Sequence, residues 1–195
     1  EPSRGLGDVY KRQMIDNERL CAHLPRVHFA SLPTILEPAP RLSTKLGIQL
    51  LVKREDLSGL CAGGNKARLL ELVMGQLLTE GVNTLIACAS PQSNKLREIA
   101  AAAARCGMRA ILLLQPDSPK YRSEHTSLQG NRLLFDLLGA EIRWIEPDCD
   151  VMETQRKTAA EISANGGRPV ILDRHLDYGL FATLAYVDAA QELYQ

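Results

Sequence analysis

Four short apolar segments, Thr84–Ala89 (TLIACA), Arg109–Leu114 (RAILLL), Glu141–Ile145 (EIRWI) and Pro169–Leu172 (PVIL), recur about every thirty residues. Stretches with helical periodicity lie between them: Ser93–Arg105, Ser123–Leu138 and Val151–Ala164. Leu69–Leu78 precedes the series and Gly179–Tyr194 follows it. Glycines stand where most of these helices should close, at Gly81, Gly107, Gly139 and Gly166–Gly167. Short apolar strands alternating with helices predict an open parallel sheet covered on both faces, an α/β fold. Upstream, Ile48–Lys53 (IQLLVK) reads as one further strand, and Arg41–Leu46 as a short helix closed by Gly47. Between Leu24 and Pro40, prolines at 25, 33, 38 and 40 remove N–H donors and fix φ, so this stretch should run extended over a domain.

The 195 residues are 45% hydrophobic, enough to bury a sizeable core, and 23 basic residues balance 23 acidic ones. A formal net charge of zero offers no electrostatic footprint for nucleic acid or an anionic membrane. Five scattered cysteines without a CxxC pair fit reduced thiols in a cytoplasmic setting better than a disulfide framework or a zinc site. No apolar run approaches a membrane span, no secretory signal is visible, and no metal site is expected. Residues 1–13 (EPSRGLGDVYKRQ) are polar and aperiodic and end just before Met14. They resemble adaptor- or vector-derived sequence, the alternative being a native disordered arm.

The stretch Leu51–Leu70 (LVKREDLSGLCAGGNKARLL) reads as a strand, a polar corner, two glycines and a helix beginning with Asn65 and Lys66. Unpaired N–H groups at a helix start already carry partial positive charge, so a lysine there should hold its proton less firmly. The free amine is the form that attacks a carbonyl. A solvated lysine in an ordinary strand-to-helix turn accounts for the same residues.

In open parallel sheets ligands bind beyond the carboxyl ends of the strands. After TLIACA comes Ser90-Pro91-Gln92-Ser93-Asn94-Lys95. Ser90 suits an N-cap and Pro91 the first helical position. The next backbone N–H groups, with the Gln92, Ser93 and Asn94 side chains, would converge on an anion such as a carboxylate or phosphate. Capping alone explains Ser90 and Pro91 but leaves the other three over. No GxGxxG follows the first strand and Gly63-Gly64-Asn65-Lys66 is not a phosphate-binding Walker loop, which argues against an unrelated nucleotide binder.

Read together, Val52-Lys53-Arg54-Glu55-Asp56-Leu57, Gly63-Gly64-Asn65-Lys66-Ala67-Arg68 and Gln92-Ser93-Asn94 resemble the pyridoxal-phosphate enzymes of the tryptophan-synthase-β type, fold type II. More narrowly they resemble the D-cysteine desulfhydrase and 1-aminocyclopropane-1-carboxylate (ACC) deaminase family. Leu32-Pro33-Thr34-Ile35-Leu36-Glu37, Gly130-Asn131-Arg132-Leu133-Leu134 and Leu138-Gly139-Ala140-Glu141 also fit, and the resemblance runs from about Leu24 to the end. It implies a two-domain fold with the larger domain incomplete: residues 14–67 and 168–195 in part of the larger, cofactor domain, and 68–167 in a smaller α/β domain. It implies that Lys66 holds pyridoxal 5'-phosphate as an internal Schiff base and moves the substrate α-proton. Asn65 and Asn94 would contact the cofactor, Asn94 at the ring oxygen. Gln92, Ser93, Asn94 and Lys95 would meet a small amino-acid substrate, with Ser93 also catalytic. The implied activity is β-elimination of sulfide from D-cysteine, or ring opening of ACC. A truncated homologue with little catalysis is the other outcome. Family members are usually dimers, which implies a homodimer for the full-length parent.

The chain departs from the family pattern in several places. Lys95 stands where histidine or glutamine is usual, and would pair with an anionic substrate or point outward. Pro91 removes an N–H donor. Asp173–Tyr178 (DRHLDY) replaces a glycine-rich run, and His175 between Asp173 and Asp177 reads as a solvated loop histidine. The family's cofactor-phosphate loop and the group facing the pyridine nitrogen lie in a further C-terminal portion. These 195 residues alone are therefore expected to bind cofactor poorly, and the incomplete domain to expose apolar surface.

Overall fold

The computed structural model describes residues 23–116, 129–172 and 178–193. Strands β3 (Thr84–Ala89), β4 (Arg109–Leu114), β5 (Glu141–Trp144) and β6 (Pro169–Ile171) form one parallel sheet in the order β5-β4-β3-β6. All four strands are those expected from the apolar segments. β6 pairs with the far side of β3, Thr84 opposite Pro169 and Ile86 opposite Ile171, so β3 is interior. The four-stranded layer thus extends past residue 167, where the smaller domain was expected to end.

The alternation of side chains along β3 and β4 divides the core into two layers. Leu85, Ala87, Ala110, Leu112 and Leu114 face a large cluster that takes in helices α2 (Ala67–Thr79) and α3 (Asn94–Arg105) and Phe135 of α4 (Gly130–Leu137). Ile86, Ile111 and Leu113 face the other way, onto Ile162 of α5 (Val151–Ala164). The alanine run of α3, residues 100–103, is buried against the first face, where small side chains let the helix lie close to the sheet. The expected helix 123–138 is described only from Gly130 onward. The last helix, α6, spans Tyr178–Gln191 and packs along α2.

IQLLVK departs from expectation. Only Leu51–Lys53 is strand (β2), and it pairs antiparallel with β1 (Leu36–Pro38) in a separate two-stranded ribbon. Helix α1 (Pro40–Leu46) withdraws the preceding residues. Ser43 Oγ accepts from Leu50 N (3.0 Å), Ser43 O accepts from Ile48 N, and Leu50 O accepts from Ala39 N. No residue of α1 is buried, and Leu46 and Ile48 are 54% and 55% exposed. The proline-rich stretch does run extended over the core: Phe29 N and Ala30 N donate to the buried carboxylate of Glu71 on α2 (2.8 and 2.7 Å).

Two further charges fix α2. Arg68 is 1% exposed, and its guanidinium donates to Glu55 (2.8 and 2.9 Å), to Glu192 (2.6 and 2.7 Å) and to Thr34 Oγ1 (2.9 Å). One side chain therefore joins α2, the turn at Glu55–Leu57 and the residue just after α6. Burial pushes the Glu55 and Glu192 carboxyls up, but hydrogen bonds from Arg68, with Thr34 or Lys53, outweigh it and hold both below the ordinary carboxylate value. At the start of α2, Lys66 stands at the N-cap without a side-chain cap of its own, and Glu98 of α3, 1% exposed, accepts from Lys66 N (3.1 Å). Burial raises the Glu98 carboxyl above its ordinary value, with the Lys66 and Arg97 charges opposing.

Removing one partner of a buried ionic cluster strands the others. Arg68→Ala is expected to cost about 3 kcal/mol or more in chemical denaturation. Since Glu55 and Glu192 titrate low in the fold, the stability they supply is full above about 4.5, their ordinary value, and is lost as pH falls below it. Glu98 acts with the opposite sign: its cost grows above pH 4.5 and is absent below. Glu98→Gln, which keeps an acceptor for Lys66 N, should raise the thermal midpoint by a few degrees at pH 7, and melts at pH 4 should show no gain.

Candidate active site

The loop before α2 follows an unusual path. Cys61 and Ala62 have φ of 44° and 69°, and Gly63 and Gly64 continue at 73° and 144°. L-residues with side chains seldom adopt such angles, so neighbours must hold the run in place. Ser58, fully buried, donates to Gly64 O (2.9 Å) and accepts from Gly64 N (3.0 Å). A Cβ on Gly63 would lie 1.7 Å from Asp56 O, and one on Gly64 2.3 Å from the Glu98 carboxylate. Gly63 is therefore a steric requirement, because backbone blocks its Cβ, whereas at Gly64 the clash is with a side-chain end and it is the φ of 144° that favours glycine.

Helix α2 begins at Ala67, so Asn65 and Lys66 precede its first turn instead of forming it. The helix start is not the bare one that the lysine's placement predicted: the Glu98 carboxylate accepts from Lys66 N there. Lys66 is half-buried, and its Nζ donates to Asn65 Oδ1 (3.1 Å). Asn65 Nδ2 in turn donates to the Tyr186 hydroxyl of α6 (3.3 Å).

The second stretch follows β3 at the carboxyl edge of the sheet. Ser90 and Pro91 do not open the helix as expected. They form a turn in which Ser93 N donates to Ser90 O (3.1 Å), and α3 starts at Asn94 with Ser93 as its N-cap. Ser93 is extended (φ −67°, ψ 122°), and its Oγ accepts from Leu96 N at 3.4 Å. Its hydroxyl therefore has a capping role in the fold, and it stands where the α3 N-terminus concentrates positive potential.

Gln92 and Asn94 are drawn together by Asn131 of α4. Asn131 N donates to Gln92 Oε1 (2.9 Å), and Asn131 Nδ2 donates to Gln92 O (2.7 Å) and Asn94 Oδ1 (2.9 Å). Arg97 donates to Asn94 Oδ1 (2.9 Å) and to Gly63 O (2.7 Å), joining this turn to the lysine loop. Lys95 is directed elsewhere: its Nζ donates to Cys88 O on β3 (3.1 Å).

Lys66, Asn65, Gln92, Ser93 and Asn94 thus share one region, gripped by consecutive residues of α3, Arg97 and Glu98. Neither residue was singled out from the sequence, nor were Asn131 and Tyr186 given roles. Gly130-Asn131 was a visible motif, whereas nothing in the spacing pointed to Tyr186. His175 lies outside the described residues. Among the described residues there is no cluster of metal-binding side chains, and no helix is long and apolar enough to cross a membrane.

Comparison with known proteins bears on this arrangement. A D-cysteine desulfhydrase from Klebsiella pneumoniae is 37% identical over 171 residues, covering 88% of this chain and 52% of the relative. One from Salmonella typhimurium gives the same figures. The chain therefore spans about half the length of the curated relatives it matches. A crystal structure of an ACC deaminase homologue superposes with a TM-score of 0.79 at 30% identity, over 92% of this chain and 53% of that one. Apo Escherichia coli diaminopropionate ammonia lyase, at 19% identity and TM-score 0.61 over 93% of this chain and 52% of that one, shares the fold. These neighbours agree with the expected fold type II architecture. The model of the pyridoxal-phosphate dependent enzyme family matches residues 27–195, and the chain belongs to that family.

Proposed function

We propose that this chain is part of a pyridoxal-phosphate-dependent lyase that eliminates sulfide from D-cysteine, one water then hydrolysing the remaining enamine to pyruvate and ammonia. The observation that carries the reading is the tether between the Gly63–Lys66 loop and the Gln92–Asn94 turn through Arg97. It puts an amine and an amide into one region at the start of α3. The donor set fits the cofactor. Lys66 supplies a primary amine for covalent attachment, Asn94 an amide for a ring oxygen, and the α3 N-terminus a favourable potential for a carboxylate.

The bound cofactor would supply the electron sink for charge developing at the substrate α-carbon. The chain's own residues supply placement and proton transfer. Lys66 Nζ, held by Asn65 Oδ1 and through it by Tyr186, is the group that takes the α-proton. Gln92 and Ser93, at the start of α3, orient the substrate carboxylate. Lys95, engaged with Cys88 O, is assigned to the strand end and not to the substrate. No described residue is assigned to the cofactor phosphate.

The parent enzyme is proposed to be a cytoplasmic homodimer. Its smaller domain would begin near residue 68 and, given the pairing of β6, close after Ile171; the stretches on either side would belong to the larger domain. The ACC deaminase reading is favoured by the 0.79 structural match and requires a different bond to break. Assays separate the two: sulfide released from D-cysteine against α-ketobutyrate formed from ACC.

The assignment of Lys66 is tested by adding pyridoxal phosphate to the protein carried to the length of its relatives, reducing with borohydride and mapping the labelled peptide. The adduct is expected on Lys66, and Lys66→Ala should lose both label and turnover. An adduct on another lysine, or none, overturns the proposal.

A further inference from the structure

Arg97 has three acceptors on three separate segments. Its Nη2 donates to Gly63 O in the lysine loop (2.7 Å). Its Nη1 donates to Asn94 Oδ1 (2.9 Å) and to Asn131 Oδ1 on α4 (3.3 Å). Its Nε is buried with no partner among the described residues, a cost that the other contacts offset.

The polarity of this cluster has one solution. A guanidinium only donates, so the Asn94 and Asn131 atoms facing Arg97 are both carbonyl oxygens. The main-chain carbonyl of Gln92 only accepts, so the Asn131 atom 2.7 Å from it is Nδ2. That same Nδ2 reaches Asn94 Oδ1 at 2.9 Å, a second donor on an oxygen already taken by Arg97. With Oδ1 held from both sides, Asn94 is left to present its Nδ2 hydrogens to a ligand. An isolated asparagine could turn either end outward; this one is oriented by its neighbours.

Resting on the function proposed above, we propose that Arg97 and Asn131 are positioning residues for the cofactor ring. They orient the Asn94 amide so that it offers a donor, and Arg97 sets the separation between Asn94 and the Lys66 loop. The ligand atom that Asn94 meets is then an acceptor, as an anionic ring oxygen is. Neither positioning residue need touch cofactor or substrate.

The test uses the full chain at the length of its relatives, with Arg97→Lys, Asn131→Ala, Asn94→Ala and each double variant with Asn94→Ala. Arg97→Lys keeps the charge but loses the fork that spans two segments. Pyridoxal phosphate is titrated by absorbance, and the pH midpoint of the bound-cofactor band is recorded. Each single variant should weaken cofactor binding about tenfold, the scale typical of outer partners that orient a ligand-binding group. Each should also move the pH midpoint upward, because a lost donor no longer favours the ionised ring oxygen. In the Asn94→Ala background, neither change should have a further effect on the midpoint, since the group they orient is gone. A purely structural role would leave the midpoint in place or add fully to Asn94→Ala, and either result overturns the proposal.

Amide exchange of the cofactor-free protein gives an independent readout. Arg97→Lys should speed exchange across residues 61–66 while α5 stays as protected as in the wild type. Unchanged exchange in that loop overturns the bridge. If the wild-type protein takes up no cofactor at Lys66 while the loop responds to Arg97→Lys, the functional reading has failed and the bridge stands as a structural contact, with the positioning role overturned.

Discussion

The start of helix α2 depends on an acceptor it does not possess. Lys66 at the N-cap has no side-chain oxygen to offer, and the first N–H groups of a helix need partners. Glu98, from the neighbouring helix α3, provides one by accepting from Lys66 N. Burying that carboxylate raises its affinity for a proton, yet it lies where helix N–H groups and two cations favour negative charge. The geometry around Lys66 is therefore set by α3 as much as by the loop that carries it.

The same helix supplies the second hold. Arg97, one residue before Glu98, reaches Gly63 O in the lysine loop and the amide of Asn94 at its own N-terminus. Two adjacent side chains of opposite charge thus hold the loop at Gly63 and at Lys66, the end of a segment that contains four consecutive residues at positive φ, two of them not glycine. Such a backbone persists only when its surroundings over-determine it. Below it, the buried Arg68 guanidinium locks α2 to the part-buried carboxylates of Glu55 and Glu192. The lysine is consequently mounted on a helix held at its start by α3 and, two residues later at Arg68, by the ends of two distant segments. Pre-organisation of this kind suits the cofactor-binding role proposed for Lys66.

Much of this was visible in the residues. The four strands of the parallel sheet are the four segments read from the sequence. The interior strands β3 and β4 are almost wholly apolar because both faces are covered, while the edge strand β5 (EIRW) is only part-buried and alternates polar with apolar residues. The glycines before Lys66 and the polar residues after β3 marked the two loops that the structure brings together. What failed was local. IQLLVK is apolar enough for a six-residue strand, but Ser43 takes the polar groups of Leu50 and Ile48 and leaves three residues to pair. Ser90 is as good a cap as Ser93 by residue type, and the helix starts at the later one. Capping propensity alone cannot choose between two serines three residues apart. Lys95, expected near the substrate by position, is found donating to the Cys88 carbonyl, a contact that residue type alone does not announce.

Periodicity, glycine placement and residue type within short windows are enough to read off the fold class, the four strands of the parallel sheet and the positions of the two loops. Only the tertiary structure decided which partners complete them. Arg97 is 34 positions from Gly63 and Asn131 is 37 from Asn94, and Glu98 reads as one more polar residue on a helix until α2 is packed beside it. Hydrogen bonds between distant segments depend on how helices pack on the sheet, and no local pattern records that. The direction in which Asn94 turns its amide is therefore decided jointly by a donor three residues away, Arg97, and one 37 residues away, Asn131, which only the packing of α4 brings within reach.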